Sequence, residues 1–412
     1  MDTVSKTAAI EAVPSPRRWA VGLALAANGW ATTFPLITLG LLLPGIIHTF
    51  GLSNTQAGWL GGITTAGFLL VTLPSALLFG NASPYLLTAA SVGAGAAFTA
   101  LHGFAPTFAL LLLARLGFSL AFALRPTAQA LVISRWFPLK EVSLIQGIIF
   151  GMLGVAEFVA LNITPKLLEI TGDWRTVYYL FSAVGVVITG IWLFAGGGGR
   201  GASAAPAPAK GSLSIRPIFR HREVWLIGIS MLVSGVSWWA YLTFWPTYML
   251  QTFGTPLSET GFLFGFLSVA TVPASLGFGY LGTRIRARRL FLALVAVTVG
   301  VAGVGMLLTG NFWLLLLFCG MMGAAWGYVP IAFAIPYEIE GITPQEIAIS
   351  AAVINTFLMS GGLIGPAFVG MLSDLTGSLF TALMISAVIP FSMALFVLGI
   401  KDPKRPDTKA TA

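Results

Sequence analysis

Charge is scarce in this sequence. Asp, Glu, Lys and Arg together make up 9% of its 412 residues, against about 25% in soluble globular domains, and that shortage excludes a soluble enzyme. Cysteine is rarer still: Cys319 stands alone, and a single cysteine makes no internal bridge. The histidines His48, His102 and His221 are scattered, without partners at ligand spacing, so no metal site is expected. No nucleophile–histidine–acid set is visible, and neither catalysis nor a cofactor is expected. The 48 glycines follow no three-residue period; they sit inside apolar runs, where membrane helices tolerate them. What is present is apolar. A hydrophobic share of 57% and a mean hydropathy of +0.89 describe a polytopic membrane protein.

A spanning helix needs about 20 mostly apolar residues. Charges and turn residues divide the chain into twelve such runs: 19–47, 56–80, 84–102, 107–134, 141–165, 174–195, 223–251, 259–283, 288–309, 312–337, 345–372 and 376–399. The expected fold is an all-α membrane protein of 12 transmembrane helices in two six-helix bundles, 19–195 and 223–399. Tails at 1–18 and 400–412 and a linker at 196–222 complete the division. The stretch AGGGGRGASAAPAPAKGS at 195–212 is too rich in Gly, Ala, Ser and Pro to bury apolar surface. It also lacks the Gly-Lys-Ser/Thr end of a phosphate loop, since Gly211 follows Lys210. Cations set the orientation. With the N-terminus inside, 18 of the 22 Lys and Arg fall on the cytoplasmic side, two (Lys166, Arg175) outside and two (Arg115, Arg125) within a span. Both termini are therefore expected in the cytoplasm of a plasma (inner) membrane protein. The net charge of +8 then reflects topology and calls for no nucleic-acid partner.

The halves repeat at an offset of about 205 residues. Leu52-Ser53-Asn54-Thr55 aligns with Leu257-Ser258-Glu259-Thr260, Phe108 and its ALLLLA with Phe312 and its WLLLLF, and Pro126 with Pro330. Glu169-Ile170-Thr171-Gly172 aligns with Asp374-Leu375-Thr376-Gly377. Parallel duplication of this kind is the architecture of secondary transporters, whose site lies between the repeats. The loop GYLGTRIRARR at 279–289 is similar to the Gly-x-Leu-Ala-Asp-Arg-x-Gly-Arg-Arg loop of the major facilitator superfamily, with Thr283 in the Asp position and Arg286 in the second Gly position. The sequence resembles that superfamily over essentially its whole length. The resemblance implies the major facilitator fold and a cytoplasmic gate loop, carried here by Arg284, Arg288 and Arg289. The equivalent GNASPY at 80–85 has no charge, which puts the family's latch in question. The stretch from Arg115 to Pro138, ending SRWFP, and WRTVYYLFS at 174–182 are similar to the fourth to sixth helices of the anion–cation symporter branch.

A charge inside a bilayer costs about 2.5–3.5 kcal/mol on insertion scales, so each one needs a reason. Arg115 and Arg125 in the fourth run and Glu157 in the fifth lie well inside. Arg115 and Glu157 both sit roughly 12 Å from the outer end, which predicts an ion pair between neighbouring helices. Arg125 lies about 15 Å nearer the cytoplasm, with no acid at its depth. Under the repeat these three map to Cys319, Val329 and Gly362; charges confined to one half favour binding or coupling over construction. Arg125 is read as the charge partner of an anionic substrate, with snorkelling to the surface as the alternative. Arg115 matches the arginine kept by the family's fourth-helix motif and is either a second substrate contact or a structural strut. Glu157 is either a proton carrier or the static partner of Arg115, because burial raises a carboxylate pKa while a nearby Arg lowers it. Asn28, Trp30 and Thr33 on the first run complete the expected substrate site, with Trp238, Tyr241, Tyr328 and Asn355 from the second half. Trp245 and Tyr248 read as the outer aromatic belt.

The expected function is secondary active transport of a small anionic solute, a carboxylate or an oxyanion, by alternating access and proton-coupled symport. Two alternatives stay open. Aromatic, Met-bearing seventh and tenth runs favour efflux of hydrophobic compounds, and the charge-free 80–85 loop favours a non-transporting receptor or scaffold.

Overall fold

The computed structural model describes residues 17–79, 83–196, 219–282, 287–339 and 341–400, and every regular element among them is helical. In chain order these are α1 (Arg17–Ile37 and Leu39–Phe50), α2 (Asn54–Phe79), α3 (Pro84–Phe104), α4 (Phe108–Phe122 and Arg125–Trp136), α5 (Leu139–Thr171) and α6 (Trp174–Gly196). The second half holds α7 (Arg222–Phe253), α8 (Leu257–Gly282), α9 (Arg288–Leu308), α10 (Phe312–Trp326, Val329–Ala334 and Ile335–Glu338), α11 (Pro344–Thr376) and α12 (Leu379–Val388, Ile389–Ser392 and Met393–Val397). Eleven of these are long and apolar enough to cross a membrane, and α2, with 26 residues, adds the twelfth crossing. Residues 1–16 and 401–412 of the expected tails, most of the linker, Arg284 of the gate loop and residues 80–82 lie outside the described residues.

The repeat is written into the helices. The pairs α2/α8, α3/α9 and α5/α11 have 26, 21 and 33 residues in both halves. Gly172 and Gly377 end α5 and α11 with φ of 65° and 67°, a left-handed turn that glycine makes without a Cβ penalty. The helices α4 and α10 break at Ala123–Leu124 and Gly327–Tyr328, just ahead of Pro126 and Pro330. Proline has no N–H for the carbonyl four residues back and its ring crowds that carbonyl, so each helix restarts there. Carbonyls beside the breaks gain donors from neighbouring helices, as membrane-buried backbone requires: Ser91 Oγ donates to Ala121 O (2.8 Å) and Thr271 Oγ1 to Gly323 O (3.0 Å).

Twelve crossings place Arg17, Arg222 and Ile400 at one end, here the linker end. At the opposite, far end the bundles touch backbone to backbone. A Cβ on Gly40 of α1 would run into Leu242 O of α7, on Gly58 of α2 into Pro366 O of α11, and on Gly261 of α8 into Leu161 O of α5. Small residues are what let membrane helices approach this closely. Toward the linker end α5 and α8 part. A Cβ on Gly154 would still be 3.5 Å from Val272, whereas among the described residues nothing lies within 4 Å of one on Gly151, Gly147 or Gly277.

Polar contacts follow the same division. The Asp374 carboxylate at the end of α11 accepts the N–H groups of Asn54 (3.0 Å) and Thr55 (2.8 Å) at the start of α2, and Asn54 Nδ2 donates to Ser373 Oγ (3.1 Å). An acid thus caps the orphan donors of a helix N-terminus in the other bundle. Its repeat counterpart Glu169 is exposed. At the linker end Arg18 grips Glu141 with two bonds (2.9 and 3.0 Å), Arg220 holds Glu346 (2.7 Å), and Arg288 pairs with Glu338. Each of these pairs stays within one bundle. Glu346 also closes a capping box with Thr343.

Two outcomes are expected. The clasp on Asp374 is solvent-exposed, so Asp374→Asn costs about 1 kcal/mol and shifts the far end roughly fivefold toward separated bundles. Spin-label distances between Glu169 and Gln251 report that shift, and an unchanged distribution would remove the clasp from the closing of this end. The Thr343 backbone N–H, with its hydroxyl and the Arg220 guanidinium, holds the Glu346 carboxyl down at about 2 from its usual 4.5. A depressed carboxylate pKa contributes stability that is complete above the unfolded value and is lost as pH falls toward the folded one. Melting in detergent at about pH 6 and about pH 3 should therefore show a gap that narrows in Glu346→Gln.

Candidate functional site

The break in α4 sets up the site. Arg125 opens the second segment, part-buried, and its Nη1 donates to Thr32 Oγ1 on α1 (3.2 Å). The bare face of Gly29 makes room for the guanidinium, since a Cβ there would stand 3.1 Å from Nη2. Among the described residues no carboxylate pairs with Arg125. Beside it, Asn28 is 1% exposed, and neither its amide nitrogen nor its oxygen has a partner. Thr88 Oγ1 on α3 is likewise buried and unbonded. Arg125, Asn28, Thr88, Ser91 and Gln129 wall one cavity, with room for about one water molecule. One turn beyond Arg125, Gln129 Nε2 donates to Gln146 Oε1 on α5 (2.9 Å). A buried polar group left unbonded costs about 1–3 kcal/mol, and several in one cavity mark a place for a polar guest.

The second arginine has a different role. Arg115 is 1% exposed. Its Nε donates to Leu60 O (3.0 Å) and Thr64 Oγ1 (3.2 Å), its Nη2 to Thr64 Oγ1 (2.8 Å) and its Nη1 to Tyr178 OH (3.2 Å). It ties α2, α4 and α6 of one bundle together. The ion pair expected with Glu157 does not form; Glu157 lies instead beside Ser268 of α8, in the other bundle. Depth along a helix was matched for these two residues, but the side of the helix was not.

In the second half, Tyr241, Trp245 and Tyr248 share one face of α7 and donate to the α9 carbonyls of Gly303 (2.8 Å), Met306 (3.0 Å) and Leu307 (2.8 Å). Trp245 and Tyr248 are buried struts, not the interfacial belt expected of them. Trp238 packs on Trp326 with ring centroids 4.8 Å apart, and together with Ser237, Tyr241 and Met322 they line an apolar cavity inside this bundle. Tyr328 OH donates to Ser234 Oγ (3.1 Å). Trp30 packs on Phe34 and keeps an unbonded Nε1, Thr33 is buried, and Asn355 is part-exposed on α11. Arg288 is taken by Glu338, and Arg289 is exposed. The structure thus gathers Arg125, Asn28 and Thr32 in one bundle and Trp238 and Tyr241 in the other, and leaves Arg115 out. Thr88, Ser268 and Trp326 are additions that the sequence did not single out. Gln129 was legible, since it follows Arg125 at the i+4 spacing of a shared helix face.

The Major Facilitator Superfamily model matches residues 20–366 and 227–412. The chain belongs to this superfamily. Membership makes it a multi-pass membrane transporter and not an enzyme. Among its relatives are the "Probable galactarate/D-glucarate transporter GudP" of Escherichia coli (strain K12), 24% identical over 91% of both chains, and the "Probable sulfoacetate transporter SauU" of Cupriavidus necator, 24% identical over 90% of this chain and 87% of the other. Both are consistent with the superfamily's anion–cation symporter type. A solved bacterial homologue of the human lysosomal transporter Spinster shares the fold, with a TM-score of 0.76 at 18% identity over 93% of this chain and 95% of that one.

The two arginines should separate in melting experiments on the detergent-solubilised transporter. Arg115→Ala leaves a cavity and strips partners from Thr64 and Tyr178, a loss of about 2–4 kcal/mol. Arg125→Ala removes a cation without a carboxylate partner and is expected to be neutral or stabilising. Equal losses in both would mean that Arg125 is also a strut.

Proposed function

We propose that this transporter carries a small anion, a carboxylate or an oxyanion, across the plasma membrane by alternating access, in symport with protons. One observation carries the reading: among the described residues, a part-buried arginine without a carboxylate partner stands beside the unbonded amide of a buried asparagine. The names of GudP and SauU, which specify galactarate or D-glucarate and sulfoacetate, agree with it. The distribution of cations supports a cytoplasmic linker end and cytoplasmic termini. With the far end closed and α5 and α8 parted below Gly154, the described shape is then the inward-open one. An anion reaching Arg125 from the cytoplasmic side would complete its unused N–H groups, and closure at that side would follow.

Glu157 is the proton site in this reading. Ser268 Oγ donates to Phe264 O (3.2 Å) and lies beside the Glu157 carboxyl. If the Glu157 carboxyl gives up a proton, the Ser268 hydroxyl is the neighbouring donor that can turn toward it. The contact lies on the α5–α8 seam between the bundles, where a change in bonding acts directly on their separation.

Purified protein tests the reading in two steps. Ligands that bind the folded state raise the melting temperature by mass action. Small anions should do so in the wild type, with affinity lost at least tenfold in Arg125→Ala and largely kept in Arg125→Lys. In proteoliposomes Glu157→Gln should abolish proton-driven uptake yet retain exchange of substrate across the membrane. Stabilisation by lipophilic compounds alone would replace the anion reading with efflux.

A further inference from the structure

We infer that the Arg125 cavity is the site of one resident water molecule, which bridges Asn28, Thr88 and the guanidinium. Asn28 and Thr88 are then positioning residues for Arg125 and not contacts of the substrate. Their bearing on transport rests on the anion reading above, whereas the water site stands apart from it.

Size selects the guest. The cavity has room for about one water molecule, and Leu25, Val92 and Ala128 complete its walls. A carboxylate group or a tetrahedral oxyanion is too large for it. Hydrogen bonding makes the same selection. The Asn28 amide presents a donor and an acceptor, and among the described residues both are unbonded. Exchanging the two ends of the amide leaves that demand unchanged. Thr88 Oγ1 adds a third unbonded atom. At 1% and 3% exposure, Asn28 and Thr88 are closed off from bulk solvent. Ser91 and Gln129 on the same wall already bond Ala121 O and Gln146. A bare anion would be repelled by the amide oxygen, and a cation by Arg125. Water both gives and takes, and a buried water makes about three bonds to groups otherwise unsatisfied.

Arg125 supplies the reason for a water here. Among the described residues its one direct hydrogen bond runs from Nη1 to Thr32 Oγ1 (3.2 Å). A planar fork held at one corner can pivot about that bond, and a second hold from the cavity fixes its plane. Asn28 lies one turn before Thr32, on the same face of α1, so the two residues approach the guanidinium from one side. Thr32 reaches it directly and Asn28 through the water, a bridge nearly as good in enthalpy as a direct bond. By the spacing of Pro126 and Pro330, the residues Asn28, Thr88 and Arg125 correspond to Leu232, Leu292 and Val329. All three polar members are replaced together in the second half, as parts that serve one task would be.

Crystals of the full-length protein at a resolution that shows waters test the site. One is grown without added anion, one with whichever of succinate and sulfate binds, and one is soaked in bromide. A single peak within hydrogen-bond reach of Asn28, Thr88 and Arg125 is expected in all three, without anomalous signal. A bromide signal at that place, displacement of the peak by the bound anion, or no peak at all would overturn the inference and leave the anion reading standing. Melting shifts with succinate and sulfate test the positioning role. Thr88→Val keeps the shape and should weaken both anions alike, by about fivefold for one lost hydrogen bond, while Thr88→Ser keeps their affinity. Unchanged affinity in Thr88→Val, or a loss confined to one anion, would overturn that role. A wild type that binds no small anion would overturn the anion reading and leave the water site standing.

Discussion

Everything in this molecule leans on the backbone crossing at the far end. In a bilayer the apolar faces of helices gain nothing by leaving lipid, so bundles hold together by close packing and a few hydrogen bonds. Gly40, Gly58 and Gly261 permit that packing because any larger residue would collide with a carbonyl across the seam. The clasp of Asp374 on the first turn of α2 adds a bond from outside the apolar layer, where water screens it. A seam of this kind is strong enough to define one state and weak enough to be left. A fully buried ion pair in the same place would cost several kcal/mol to break and would suit a scaffold better than a carrier.

Two arginines on α4 show how much depends on which side of a helix a residue faces. Ten residues apart, they sit on either side of the break before Pro126. Arg115 faces α2 and α6 and finds a carbonyl, a hydroxyl and a phenol, enough to hold a guanidinium with no carboxylate near. Arg125 faces α1, where glycine clears a space and, among the described residues, only Thr32 answers it. Arginine stays charged under either condition. The first site therefore spends its charge on architecture, and the second keeps it available.

Twelve spans and the duplication were legible in the sequence because each has a one-dimensional signature, an apolar run of fixed length or a constant offset; Pro126 and Pro330 entered only as a repeat anchor, and the breaks ahead of them went unread. Depth is also one-dimensional, and it correctly separated Arg115 from Arg125. Facing is not. Hydropathy placed Trp245 and Tyr248 near an interface, but only the packing of α7 on α9 shows that their polar atoms turn inward to backbone carbonyls. For the same reason Arg115 and Glu157, level in depth, look in different directions. Asp374 stood out as a repeat anchor, yet its partners are some 320 residues away, beyond any local pattern.

Duplication supplies the frame, and departures from it supply the chemistry. The two seams, α2 with α11 and α5 with α8, are equivalent by the repeat, but they are built differently. At Gly362 a Cβ would stand 2.6 Å from Thr65 and 2.9 Å from the Trp239 indole nitrogen, so no carboxyl fits there. Its counterpart Glu157 has room and lies beside Ser268 of α8. The tight seam also carries the Asp374 clasp, and the looser one carries the titratable group. Under the proposed cycle the first serves as the hinge and the second as the sensor. Loss of a proton from Glu157 then acts where the bundles have freedom to move, while the glycine seam keeps them in register.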